Sequence, residues 1–226
     1  MPPRFIALIP AAGVGVRAGT QVPKQYAPLL GKPMLAHTIA AFTGCARIDA
    51  THVVIAPDDN WLETLGGSAS WAGAQIHRSG GATRAQSVLN GLSAIDADAE
   101  DWVLVHDAAR PCITPAMLEG LINELRDDEV GGLLALPVPD TVKRAGDDRR
   151  VAETISREGL WLAQTPQMFR YGVLREALQR YPDVTDEASA VERMGLKPKL
   201  VTGDAHNIKV TYPADFALAE AYLGAS

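Results

Sequence analysis

FIALIPAAGVGVRAGTQVPKQY, residues 5–26, is the stretch on which the fold turns. Phe5–Ile9 is a short, continuous apolar run, the signature of a strand buried on both faces. A glycine-rich loop follows directly, and Arg17 and Lys24 stand in and beyond it. Pro23 precedes Lys24 and stiffens its approach. The backbone N–H groups of such a loop can face an anion, and the two cations can complete a cradle for a triphosphate.

Known loop motifs fit this stretch poorly. Gly13-x-Gly15-x-x-Ala18 loosely matches the dinucleotide fingerprint, which taken alone is a weak signal. Gly19, Val22 and Pro23 interrupt any helix opening inside the loop, and no acidic residue stands about 20 residues later to bind a ribose. A Walker loop, GxxxxGK[ST], is absent. A solvated connector would explain the glycines but not the glycines, Arg17 and Lys24 together.

Working outward, the same strand type recurs at His52–Ala56, Trp102–Val105, Gly132–Leu136 and Lys199–Val201. Between these runs, apolar residues fall at helical spacing: Leu35, Ile39 and Phe42, then Val88, Leu92 and Ile95, then Leu118, Ile122 and Leu125. Pro33, Pro115 and Pro213 stand where first helical turns can begin. The alternation predicts one α/β domain over residues 1–226, a mostly parallel sheet with helices on both faces. Ligands of such folds bind beyond the carboxyl ends of the strands, where the glycine loop lies. Residues 137–161 break the rhythm. They read as a charged β-hairpin arm around Gly146-Asp147-Asp148, too small to carry a core and therefore expected to make a subunit contact.

Composition narrows the function classes. Net charge is −6 and the pI about 5.4, which argues against a broad grip on nucleic acid. No apolar run reaches membrane-spanning length, and Phe5–Ile9 is too short for a signal-peptide core, so a cytoplasmic location is expected. Cys45 and Cys112 form no paired motif, and the five histidines show no HxxxH or HExxH spacing.

Further stretches carry a resemblance. PAAGVGVRAG and PKQY are joined, in order, by GGATRAQSVLNGL (80–92), VHDAARP (105–111), TDEASAVE (185–192) and NIKVT (207–211). Together they resemble the 2-C-methyl-D-erythritol 4-phosphate cytidylyltransferases of the non-mevalonate isoprenoid pathway. The likeness runs nearly end to end, the arm included, and implies a Rossmann-like nucleotidyltransferase domain. It departs from the usual pattern at Ala18, Ala82, Thr83 and His206.

The resemblance implies that Ala11, Ala12, Gly13 and Gly15 contact CTP while Arg17 and Lys24 hold its phosphates. Gly81 and Ser87 would help read the cytosine, with Arg84 supporting that loop. Asp107 would sit near the ribose and Mg²⁺, or another divalent cation in its place. It follows a predicted strand, at the ligand edge of the sheet, and Mg²⁺ favours one or two carboxylates plus phosphate oxygens. Thr165, Thr185 and Lys209 would serve the methylerythritol phosphate. Thr141, Arg157 and Arg110 would reach it from the neighbouring subunit's arm and loop, in a homodimer. Lys24 and Lys209 would attend the α-phosphate, and Arg17 the leaving pyrophosphate.

Plainer readings stand beside these. Lys209 alone reads as an ordinary exposed strand lysine, and Arg157 as a solvated charge. Thr185-Asp186-Glu187 reads as a helix N-cap with favourable acids in the first turn. His106 reads as packed or hydrogen-bonded rather than a base, and Trp161 and Phe169 as core. Rival functions are a ribitol-5-phosphate cytidylyltransferase, an NAD-dependent oxidoreductase and a non-catalytic nucleotide-binding module. HDAARP, rather than a valine-bearing HDAVRP, favours methylerythritol phosphate over ribitol phosphate.

Overall fold

The computed structural model describes residues 2–13, 22–65 and 71–225. A seven-stranded sheet runs through it in the order β11-β7-β10-β6-β1-β4-β5. The strands are β1 (Phe5–Pro10), β4 (Ala50–Val54), β5 (Ala74–His77), β6 (Trp102–Val105), β7 (Gly131–Pro137), β10 (Trp161–Arg170) and β11 (Lys199–Thr202). β1 pairs in parallel with both β4 and β6. β10 runs antiparallel between β6 and β7. The expected parallel sheet is present, with this strand inserted. Residues 161–170 carry Pro166 in mid-strand, which removes a ladder donor and hides the strand from a pattern reading.

Side chains alternate across the sheet and bury both faces, as the continuous apolar runs require. On one face Ala7, Ile9 and Leu104 pack under α1 (Met34–Thr43) and α4 (Pro115–Leu125). On the other, Ile6, Leu8, Val103 and Val105 pack under α3 (Arg84–Ala94), α5 (Tyr171–Arg180) and α6 (Glu187–Arg193). The remaining described helices are α2 (Trp61–Leu65) and α7 (Pro213–Gly224), and α7 packs beside a small hairpin of β2 (Pro28–Leu29) and β3 (Lys32–Pro33). Pro115 and Pro213 open their helices at the first turn, whereas Pro33 is the N-cap residue of α1. Phe169 is fully buried, as expected; Trp161 is not, at 37% exposure. It starts β10 at the root of the arm, where it pairs with Pro137.

The arm consists of β8 (Val142–Ala145) and β9 (Val151–Ile155), which pair with each other in a sheet of their own. Every residue from 143 to 154 is exposed.

β1 lies at the topological switch point. The chain moves from β1 outward to β4 and β5, then returns to β6 on the other side of β1. The carboxyl ends of β1 and β6 therefore diverge into a crevice, the position where open α/β sheets bind ligands.

Candidate active site

A cavity of about 410 Å³ occupies this crevice. Its wall is assembled from distant segments: Ala11, Ala12 and Gly13 after β1, Lys24 and Gln25, the loop entering α3, Asp107 after β6, and Lys209. The Gln25 side chain donates to the Ala11 carbonyl at 2.7 Å, tying the PKQY turn to the end of β1. Gly80 lies so close to Ala12 that an added Cβ would sit 2.3 Å from the Ala12 Cβ. Only glycine lets these two loops meet.

α3 points its first turn at the cavity. The Thr83 hydroxyl caps it by accepting from Gln86 N–H at 3.1 Å. Ser87 donates to the Thr83 carbonyl at 2.9 Å and accepts from Gly81 N–H at 3.0 Å, which folds the GGATR loop back on the helix. The helix N-terminus favours an anion beside it.

Asp107 is the acidic residue among the described lining residues. Its Oδ1 accepts from Arg84 Nε at 2.8 Å, and its Oδ2 lies 2.6 Å from Lys209 Nζ. Burial pushes the Asp107 carboxyl pKa up, but Arg84 and Lys209 outweigh it and hold the group well below the usual carboxylate range. Arg84 is coupled in the opposite sense: burial works against its charge, and Glu187 and Asp107 together raise its pKa above the ordinary guanidinium value.

A hydrogen-bond chain beneath the cavity fixes the Asp107 backbone. Asp107 N–H donates to Thr165 Oγ1 at 3.0 Å, and the Thr165 hydroxyl donates to His106 Nδ1 at 3.1 Å. His106 Nε2 in turn donates to the Arg110 carbonyl at 3.1 Å. With one ring nitrogen accepting, the imidazole is neutral, and burial lowers its pKa to about 4. His106 is a structural hydrogen-bonded residue, as read from its neighbours. Lys209 is held in place by its successor: Val210 N–H donates to Ala109 O at 2.8 Å, and Lys24 Nζ donates to Val210 O at 2.7 Å.

With three cationic side chains (Lys24, Arg84 and Lys209) around one carboxylate, the described wall suits a polyphosphate. Residues 5–225 match the family model for IspD, 2-C-methyl-D-erythritol 4-phosphate cytidylyltransferase. The chain belongs to the IspD family. It is 57% identical over 225 residues to the 2-C-methyl-D-erythritol 4-phosphate cytidylyltransferase of Dechloromonas aromatica, covering 99% of each chain. The relative of that name from Chromobacterium violaceum is 56% identical over 98% of each chain. A crystal structure of a 4-diphosphocytidyl-2C-methyl-D-erythritol synthase matches with TM-score 0.88 at 38% identity, covering 99% of this chain and 100% of its own. The Francisella tularensis IspD structure matches with TM-score 0.83 at 35% identity, covering 97% and 99%.

Of the residues that the IspD resemblance singled out, Ala11, Ala12, Gly13, Lys24, Gly81, Arg84, Ser87, Asp107 and Lys209 share the cavity. Gly15 and Arg17 lie outside the described residues. Thr165 is buried and does not line the cavity; its hydroxyl is committed to Asp107 and His106. Thr141, Arg157 and Thr185 are exposed and away from the cavity within one chain. Arg110 departs from the expectation of a side chain offered to a neighbouring subunit. It is buried, and its guanidinium donates to Asn207 O at 2.6 Å and Ala163 O at 3.4 Å of its own chain.

Two features escaped the sequence reading. Asn207 is fully buried and donates to Thr165 O at 2.8 Å, locking the NIKV segment onto β10. Glu187 is fully buried against Arg84. Asp186 alone supplies the cap of α6, accepting from Ser189 N–H at 3.1 Å. A first-turn acid carries no sequence sign that it will be buried; only the packing of α6 beside α3 decides that.

Proposed function

We propose that the chain transfers CMP from CTP to 2-C-methyl-D-erythritol 4-phosphate, giving 4-diphosphocytidyl-2-C-methyl-D-erythritol and pyrophosphate. The observation that carries this reading is the gathering of Lys24, Arg84, Asp107 and Lys209 at the switch-point crevice of an IspD-family fold. An acceptor phosphate is largely dianionic at neutral pH, with a second pKa of about 6, so no general base is needed. The obstacle is repulsion between two anions as the acceptor oxygen attacks the α-phosphorus in line. Positioned cations remove that obstacle and stabilise the pyrophosphate as it leaves. Lys24 and Lys209 take the α-phosphate, Arg17 the β- and γ-phosphates, and Ala11, Ala12, Gly13, Gly15, Gly81 and Ser87 the rest of CTP.

Asp107 fits a divalent cation by its chemistry: one ionised carboxylate at a phosphate site, with no cluster of three or more metal-ligating side chains among the described residues. Mg²⁺ held by Asp107 and phosphate oxygens would supply charge neutralisation.

The acceptor site is completed by a second copy. Thr141 and Arg157 stand at the exposed arm, where a partner subunit's cavity is the proposed destination, and Thr165 and Thr185 serve the acceptor from the chain itself. Arg110 braces the Asn207 and Ala163 carbonyls beside them. No described helix is long and apolar enough to cross a membrane. The cytoplasmic location expected from the sequence stays part of this reading.

The test is Mg²⁺-dependent pyrophosphate release from CTP with methylerythritol phosphate, with ribitol 5-phosphate and with no acceptor. Release confined to methylerythritol phosphate is expected. Preference for ribitol phosphate, or no release, overturns the reading.

A further inference from the structure

We propose that Glu187 is a positioning residue for this transfer: it locks the Arg84 fork so that Arg84 braces Asp107 instead of gripping the triphosphate. The inference rests on the function proposed above.

Glu187 opens α6 and is fully buried. An ionised carboxylate out of water is costly unless it is paired and hydrogen-bonded. Its two oxygens accept from Arg84 Nη1 at 2.6 Å and from Nη2 at 3.1 Å, the two-point geometry that suits a guanidinium. The third nitrogen, Nε, donates to Asp107 Oδ1 at 2.8 Å, and Lys209 stands on Asp107 Oδ2 at 2.6 Å. The charges therefore alternate along one line: Glu187, Arg84, Asp107, Lys209. Arg84 lies on the cavity wall. Released from Glu187, its fork would face a polyphosphate, a strong competitor for a guanidinium.

The anchor is itself anchored. Gln167 of β10, almost fully buried, accepts from Ala188 N–H at 2.7 Å and donates to Asp186 Oδ2 at 2.9 Å. The first turn of α6 is thus fixed to the sheet, and Glu187 cannot follow Arg84 if the latter moves.

The experiment measures kcat, KM for CTP, and melting temperature for wild type, Glu187→Gln, Arg84→Gln and the double variant, by pyrophosphate release with methylerythritol phosphate. Glutamine keeps the shape of Glu187 but sets an NH₂ donor against a guanidinium donor. Glu187→Gln is expected to lower kcat about 10- to 100-fold, the usual size of effect for a residue that orients another in a site. KM for CTP should stay level or fall, because a freed fork binds phosphate in the ground state. The double variant leaves no orphaned buried charge, so it should fold and melt above Arg84→Gln, which strands the buried Glu187, and its kcat should equal that of Arg84→Gln alone. A folded Glu187→Gln with wild-type kcat overturns the inference. So does a double variant whose loss is the product of the two single losses, or one that falls well below Arg84→Gln when Glu187→Gln alone does not fold. Wild-type protein that releases no pyrophosphate overturns the proposed function, and this inference with it.

Discussion

Lys24 and Lys209 come from opposite ends of the chain and meet through Val210, whose carbonyl accepts from the Lys24 ammonium. Neither is needed to fill the core, so Lys24→Ala and Lys209→Ala should leave the melting temperature nearly unchanged. Each should lower kcat about 100- to 1,000-fold, the cost of losing one electrostatic contact to a transition state. Near-wild-type turnover in both would remove them from the α-phosphate. Lys209 also shows how far residue-level reading goes. In isolation it is an unremarked lysine; its meaning comes from Asp107, about a hundred positions earlier in the chain, and no local pattern reports that pairing. Asp107 was legible because it follows an unmistakable strand. Glu187 was not, since burial of a first-turn acid depends on a neighbouring helix.

Loops and strands carry the next set of consequences. The close approach of Gly80 to Ala12 makes Gly80→Ala a test of how the loops after β1 and β5 form one wall. The new methyl would also meet the Ile55 carbonyl at 2.9 Å, so the loop must shift. A displacement of about 1 Å in a positioning element can cost about 100-fold in turnover, and a loss of that order is expected in kcat/KM for CTP. Unchanged kcat/KM would show that the loops move independently. The arm invites a larger change. Replacing residues 142–155 by a short Gly-Ser turn removes mostly exposed surface, so the sheet should still melt cooperatively. Sedimentation should report a monomer, and turnover should fall to background. A fully active monomer would end the arm's role. The arm, the parallel strands other than β5 and three of the helices could be read from periodicity and turn residues. β10 could not, because Pro166 interrupts it and its first residue reads as the end of the arm; β5, Ala74-Gln75-Ile76-His77, carries polar residues at two of its four positions and offers no apolar run.

Across the whole molecule, two buried imidazoles link folding to acidity. His106 and His52 are both held near pKa 4 by burial, with His77 adding to the effect at His52, against an ordinary value of 6.5. Between pH 6.5 and about 4 the unfolded chain binds protons at these positions and the folded chain does not. Stability should therefore fall as pH falls through this window, by at most about 1.4 kcal/mol per pH unit for each histidine. Urea unfolding at pH 7.5 and pH 5 measures it, and His52→Gln should flatten the slope. A stability that does not change between those two values would show that neither ring is kept neutral.

The cavity wall begins at residue 10 and closes with residue 209, and its central strand, β1, is made first yet must wait for β6 to cover its second edge. On a ribosome, then, the wall is still one residue short when Ala109 has been made, and stays so until Lys209 follows about a hundred positions later. The wall is whole only once the NIKV segment emerges and docks on Ala109. Polypeptides released between those two points would lack the lysine that pairs with Asp107, and should turn over no CTP whether or not they hold it.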